Sequence, residues 1–270
     1  MTDRWPAHLF LVGCGNMAGQ MLARWLDCGL EPARVTVVRP SGRPVAPGVT
    51  VLTDFPAVLP HGATIMLGMK PYQLDDVGSR LAPLCTPAMP IMSILAGIPL
   101  ATLRARFPAT ADILRAMPNL PVGIGEGVTA LYMEGAADAP VRGAMDALFT
   151  PLGLVEWLSA EDQFNLVTAL SGCGPAFLFR FIDALARAGE ALGLPADQSA
   201  RMALATIQGS ANMAARGDAA PALLADRVAS PGGMTREGLN ILDKDDRLLD
   251  LLTATLRAAR DRGEAMARNG

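Results

Sequence analysis

The chain begins with a short apolar run, Leu9-Phe10-Leu11-Val12, with no polar break. A run this short and this uniformly apolar predicts a parallel strand buried on both faces. It enters Gly13-Cys14-Gly15-Asn16-Met17-Ala18 and then an amphipathic segment that predicts a helix to about Cys28, closed by Gly29. Val35-Thr36-Val37-Val38 predicts the next strand. The alternation continues with strands over 63–69, 91–95 and 112–116 and helices over 73–82 and 100–107. A strand at 127–132, a helix near 139–149 and a strand at 153–158 complete the series. Strands alternating with helices of this length imply βαβ units, hence an α/β fold with a Rossmann-type doubly wound sheet.

Beyond about residue 160 no β-branched strand run recurs. Apolar residues fall at helical spacing through 161–170, 175–192, 196–216 and 246–268, punctuated by Gly172, Gly174-Pro175, Gly193, Pro195 and Gly217. The expected organisation is a dinucleotide-binding domain over 1–159 and an all-α substrate and dimerisation domain over 160–270. The helical faces carry more Ala, Leu and Met than a small domain can bury, so a homodimer or higher homo-oligomer is expected. Surplus core is the plainer alternative.

Composition narrows the function. Of 270 residues, 51% are hydrophobic and 18% charged, with a net charge of −3. That balance supports a packed core and gives no clustered basic face for nucleic acid. The four cysteines (Cys14, Cys28, Cys85, Cys173) form no C-x-x-C pair, and His8 and His61 are the only histidines. No metal site is expected, and the thiols read as reduced packing residues of a cytoplasmic protein. Residues 81–103 carry no charge over 23 positions, long enough to cross a bilayer, but Pro83, Pro87, Pro90 and Pro99 cut the stretch. A faint lipoprotein-like start near Cys14 is better explained by the glycine pattern around it, so no membrane partner is expected.

Gly13-x-Gly15-x-x-Ala18, after a buried strand and before a helix, has the spacing of a dinucleotide fingerprint. The first glycine permits a tight turn, the second lets backbone amides approach a pyrophosphate, and the small third residue lets helix and strand pack. An NAD site places an acid about 20 residues on. Here the second strand runs into Arg39-Pro40-Ser41-Gly42-Arg43, without an acid. Guanidiniums and a hydroxyl suit a 2′-phosphate, so NADPH is expected, with NADH weaker. A solvated basic turn is the alternative.

Near the other end, Ser230-Pro231-Gly232-Gly233-Met234-Thr235 precedes a helix to about Leu242. Proline and paired glycines before a helix expose amides that can hold a small carboxylate, beside a Thr235 hydroxyl. An ordinary capping turn would have the same composition. Of the two lysines, Lys70 precedes Pro71 and Lys244 sits among Asp243, Asp245 and Asp246. A β-hydroxyacid dehydrogenase would need a lysine acid/base on a helix of the second domain, and Lys244 reads as a solvated charge.

Six segments carry a family resemblance: Gly-x-Gly-Asn-Met-Ala at 13–18, Met-Lys-Pro at 69–71, Ser-Ile-Leu-Ala-Gly at 93–97, Arg-Ala-Met-Pro-Asn at 115–119, Ser-Gly-Cys-Gly-Pro-Ala at 171–176 and Ser-Pro-Gly-Gly-Met-Thr at 230–235. In this order over most of the chain they resemble pyrroline-5-carboxylate reductase. The resemblance implies hydride transfer from NADPH to 1-pyrroline-5-carboxylate, giving L-proline, in an active site where two domains meet. It implies that Gly13, Gly15, Asn16, Met17 and Ala18 hold the pyrophosphate and Arg39 and Ser41 the adenosine phosphate. Lys70, Pro71, Ala96 and Gly97 would lie along the cofactor, with Asn119 near the nicotinamide. The loop Ser230, Gly232, Gly233, Met234 and Thr235 would take the cyclic imino acid, its carboxylate on the amides of 233–235 and its ring nitrogen on the Thr235 hydroxyl. The sequence departs from the family pattern at Met234, Cys173 and Leu120, and Asp218 falls near a position where some relatives place a Glu beside the substrate. A reductase of another cyclic imine, or a non-catalytic NADP-binding module, would carry many of the same segments.

Overall fold

The computed structural model describes residues 5–135 and 139–268. They divide into two compact units, Met1–Cys173 with Ala259–Gly270, and Gly174–Ala258.

The first unit holds one eight-stranded sheet: β1 (His8–Val12), β2 (Val35–Val38), β3 (Thr50–Leu52), β4 (Ala63–Leu67), β5 (Ile91–Ser93), β6 (Ile113–Pro118), β7 (Gly127–Met133) and β8 (Gly153–Trp157). Their order is β3-β2-β1-β4-β5-β6-β7-β8, parallel throughout except that β7 runs antiparallel to β6. The first six strands therefore follow the doubly wound order, which reverses between β1 and β4. Register pairs Leu9 with Val35 and His8 with Ala63, so β1 lies at the centre.

Helices cover both faces, and the alternation along each strand decides which residue meets which layer. Leu9, Leu11, Val35 and Val37 enter one core with Met21, Leu22 and Trp25 of α1 (Asn16–Asp27). Phe10, Val12, Ile65 and Leu67 enter the other with Leu74 and Leu81 of α2 (Leu74–Leu81) and Leu100 and Leu103 of α3 (Leu100–Arg106). Trp25 anchors α1 to α4 (Ala139–Phe149): its Nε1 donates to the Leu148 carbonyl at 2.8 Å, and its ring meets Phe149 edge-on at 6.4 Å.

The sequence boundary at 159/160 falls short of the structural one. Residues 161–173, comprising a 3₁₀ turn, α5 (Phe164–Val167) and a π-helical turn over Thr168–Gly172, belong to the sheet unit. Phe164 is buried with Met117 and Ala130 in a third, smaller cluster, and Glu161 bonds into the sheet, so this segment packs on the sheet. The last turns of α10 (Arg247–Arg268) also join this unit. A Cβ on Gly263 would come within 3.0 Å of Asn165 Oδ1.

The second unit is helical. In it α6 (Gly174–Ala191) packs on α7 (Ala196–Arg216), followed by α8 (Pro221–Val228), α9 (Met234–Asp243) and the start of α10. Gly189 allows the close approach of α6 to α7, since a Cβ there would lie 2.3 Å from Ser199 Oγ, which donates to the Ala186 carbonyl at 2.6 Å. Large apolar side chains stay outside: Phe179 is 58% and Leu204 54% exposed. Among the described residues one helical run, Glu161–Ala191, is long and apolar enough by composition to cross a membrane, a feature not apparent from the sequence pattern.

Candidate active site

A cleft of about 720 Å³ opens where the strand order reverses. Its walls are the loop after β1 (13–18), the turn after β2 (39–41), the loop after β4 (68–71) and residues 94–96 after β5.

The glycines of the first loop do different work. Gly13 has φ +82°, and a Cβ there would sit 2.8 Å from the Met69 backbone; its amide is spent on the Val38 carbonyl at 2.8 Å. A Cβ on Gly15 would meet no atom within 4 Å. Gly15 is also the N-cap of α1, and no side chain caps that helix. The first amides of α1 therefore face open space at a positive helix end, which suits a phosphate. Ala18 is 1% exposed and packs toward Gly68, where an added Cβ would meet its methyl at 3.1 Å. These features fit a dinucleotide pyrophosphate lying over Gly15.

At one end of the cleft, Arg39 and Ser41 line the wall, in a turn closed by Gly42 N–H on the Arg39 carbonyl at 3.0 Å. Arg43 is not among the lining residues. Burial pushes the Cys14 thiol above its ordinary value, and the neighbouring Arg39 charge pulls it partly back. Further contributors went unseen in the sequence, Asp54, Phe55 and Arg80 among them. Arg80 of α2 pairs with Asp54 and lies 5.1 Å from the Phe55 ring centroid. Asp54 and Phe55 follow β3, a three-residue strand hidden among Pro40, Pro44, Pro47 and Gly48, which left no periodicity to read.

At the other end Lys70, Pro71 and Ala96 line the cleft, while Gly97, with φ +75°, lines a smaller adjoining cavity of about 360 Å³ that shares Pro71 and Ala96 with it. Asn119 follows directly on β6. It is buried, its Oδ1 accepts from Val128 N–H at 2.8 Å and its Nδ2 donates to the Ser171 carbonyl at 3.0 Å. Its amide is thus committed to joining β6, β7 and the 171–174 turn, and it is not part of the cleft wall.

The second unit carries the other predicted loop. Gly233 is the N-cap of α9, again without a side-chain cap, and Gly232 has φ +68°. The Gly233 amide donates to the Ser230 carbonyl at 3.0 Å, so it closes the turn and is not available to a ligand. The open donors are the next amides along, from Met234, Thr235 and Arg236 at the first turn of α9. Arg236 bonds Asp226 of α8 at 2.8 Å, which fixes the start of α9. Ser230, Thr235 and Met234 are exposed, Met234 to 94%. Asp218 lies exposed in the bend after α7, and Lys244 is exposed at the kink after α9. Among the described residues no group of three or more His, Cys, Asp or Glu side chains is placed to hold a metal ion.

Known proteins share this fold. Residues 161–266 match a family model described as pyrroline-5-carboxylate reductase dimerisation. A pyrroline-5-carboxylate reductase of Pseudomonas aeruginosa is 31% identical over 265 residues, covering 96% of this chain and 97% of the relative. The chain belongs to the pyrroline-5-carboxylate reductase family. A pyrroline-5-carboxylate reductase structure from Coxiella burnetii superposes with a TM-score of 0.86 at 27% identity, covering 97% of this chain and 99% of the other. A second reductase of the family, from Plasmodium falciparum and solved with NADP bound, has the same fold, with a TM-score of 0.81 at 24% identity over 97% and 98% of the two chains. The match over 161–266 starts at the residue where strand patterning ends, whereas the compact units divide at 173/174. Its first dozen residues are thus packed on the sheet of this reductase.

Proposed function

We propose that this chain reduces 1-pyrroline-5-carboxylate to L-proline with NADPH, the last step of proline synthesis, as a cytoplasmic homodimer or higher homo-oligomer. The observation that carries the reading is the pair of uncapped, glycine-opened helix starts at Gly15 and Gly233, in a chain related to the reductases over 96% of its length. Each offers free amides to one anion, a pyrophosphate and a carboxylate. Arg39 and Ser41 support NADPH over NADH, since a guanidinium can grip a 2′-phosphate through paired hydrogen bonds.

When bound, NADPH supplies the hydride. The chain's own residues supply alignment and polarisation. Amides at the start of α1 hold the pyrophosphate, and Lys70, Pro71, Ala96 and Gly97 border the path of the rest of the cofactor. The amides of Met234 and Thr235 hold the substrate carboxylate, in the turn formed by Ser230, Gly232 and Gly233. The Thr235 hydroxyl hydrogen-bonds the ring nitrogen: it donates to a neutral imine, whose nitrogen takes its proton from water as the hydride arrives, and it accepts from the N–H of an iminium. A cyclic imine protonated in solution is already electrophilic, and the remaining demand is orientation of two bound partners, a large term by itself. Asp218 is given no step.

Exposed Leu178, Phe179 and Leu204 lie in the region matched to the dimerisation family, which favours a second copy over a bilayer as the cover for this surface. The four cysteines, none of them in a disulfide, support a reducing compartment.

The test is loss of NADPH absorbance with pyrroline-5-carboxylate, repeated with NADH and with a six-membered cyclic imine. Faster turnover of the five-membered ring with NADPH is expected; no turnover of it overturns the assignment. Thr235→Ala should lower kcat about tenfold or more, in line with loss of one positioned donor, and leave NADPH affinity unchanged.

A further inference from the structure

Arg115 and Asn119 stand four residues apart at the end of β6 and hold two points of the 161–173 segment. Arg115 Nη1 donates to Glu161 Oε1 at 2.6 Å, its guanidinium lies 4.0 Å from the Phe164 ring centroid, and Asn119 Nδ2 donates to the Ser171 carbonyl. The Arg115 side chain is only 7% exposed, so the charge has been taken out of water and matched to one carboxylate. The same Glu161 Oε1 also accepts the Leu100 amide at 2.7 Å. Leu100 is the first residue of α3, whose N-cap is Pro99 and whose start has no other side-chain cap. Glu161 therefore supplies that helix with its missing acceptor from 61 residues away. Immediately before Leu100 come Ala96, on the cofactor cleft wall, and Gly97 at φ +75°.

We infer that Glu161 is a positioning residue for the cofactor: by accepting Leu100 N–H and Arg115 together, it fixes the start of α3 and so the 96–99 loop that borders the cleft. The inference rests on the cofactor reading above for what the loop touches, but not for what Glu161 does to the loop. Burial presses the Arg115 guanidinium below its ordinary value while Glu161 works to keep it charged, consistent with a pair held together in the folded state. Gln at 161 keeps an oxygen acceptor for both donors. Ala removes it and leaves Arg115 buried without a partner.

The experiment compares wild type, Glu161→Ala and Glu161→Gln in three measurements: hydrogen exchange of peptides covering 94–103 in cofactor-free protein, NADPH affinity with the kcat and KM split, and thermal midpoint. The Ala variant should exchange about tenfold faster in that segment and bind NADPH about tenfold more weakly, the expected scale for freeing a capped loop. The Gln variant should return to within about threefold of wild type on both readouts. If the Ala variant does not fold, Glu161→Asp, one methylene short of both donors, takes its place with the same expectation. A lowered midpoint with wild-type exchange over 94–103 and wild-type NADPH affinity would mean a merely structural ion pair, and overturns the inference. A Gln variant no better than Ala also overturns it. Should wild type itself fail to bind NADPH, the cofactor reading falls, and the exchange comparison still decides whether Glu161 holds the loop.

Discussion

The two glycine turns present similar chemistry and opposite mechanics. Both end in an N-cap glycine with no side-chain cap, so both leave helix amides free for an anion. The turn at 13–15 is clamped between central strands, with the Met69 backbone where a Gly13 side chain would be. The turn at 230–235 touches little but itself: a Cβ on Gly232 would meet nothing within 4 Å, and one on Gly233 would meet chiefly Ser230. Tertiary packing sets the first turn and local backbone geometry the second. The consequence is that damage to the first should spread into the fold, whereas damage to the second should stay at the ligand.

The sharpest separation lies within the first turn. Gly13→Ala combines a left-handed φ with a backbone collision, neither of which a rotamer change can relieve, and should cost about 2–4 kcal/mol of stability along with NADPH binding. Gly15→Ala has the same chemistry and no protein atom to strike, so stability should move by less than about 0.5 kcal/mol. Its methyl would occupy the space assigned to phosphate, weakening NADPH at least about tenfold. Thermal melts and fluorescence titration separate the two. Equal destabilisation by both variants would mean that Gly15 is packing, not ligand space.

A smaller effect should come from the exposed apolar face of the helical unit. Phe179 is 58% exposed, so Phe179→Asp in a lone copy should change stability by less than about 0.5 kcal/mol. If a second copy covers that face, the buried carboxylate should weaken association by about 2–4 kcal/mol. Light scattering during size exclusion would then show a shift toward monomer, with turnover falling alongside. An unchanged dimer with full activity would place the interface elsewhere.

How much of this was legible depends on where each feature is encoded. Buried parallel strands announce themselves because every position is apolar, so β1, β2 and β6 sat close to their predicted bounds. Gly13 and Gly15 were legible because backbone requirements select a residue type directly. β3 was not, because it is only partly buried and so shows no uniformly apolar run, unlike the equally short β5, and with it went Asp54 and Phe55. The motif that contains Asn119 could not show that its amide joins Val128 and Ser171, because the direction a side chain points is a tertiary fact. The Gly233 amide shows the same limit at finer scale, since only the turn's closure reveals that it is spent. Helical periodicity identified 161–170 and 246–268 as helix but carries no information about which body a helix packs on.

The mildest perturbation bears most directly on the contrast between the turns. Gly232→Ala meets no neighbour, so its cost is the left-handed backbone alone, about 1 kcal/mol. The chain can relieve that strain by shifting Pro231–Gly233, which would tilt the first amides of α9 away from a carboxylate. KM for the imino acid should therefore rise about threefold to tenfold while NADPH affinity and the thermal midpoint stay close to wild type. Steady-state kinetics with each ligand varied in turn measure this. A parallel loss of NADPH affinity would show that the second turn is coupled into the first, and that their mechanical independence is wrong.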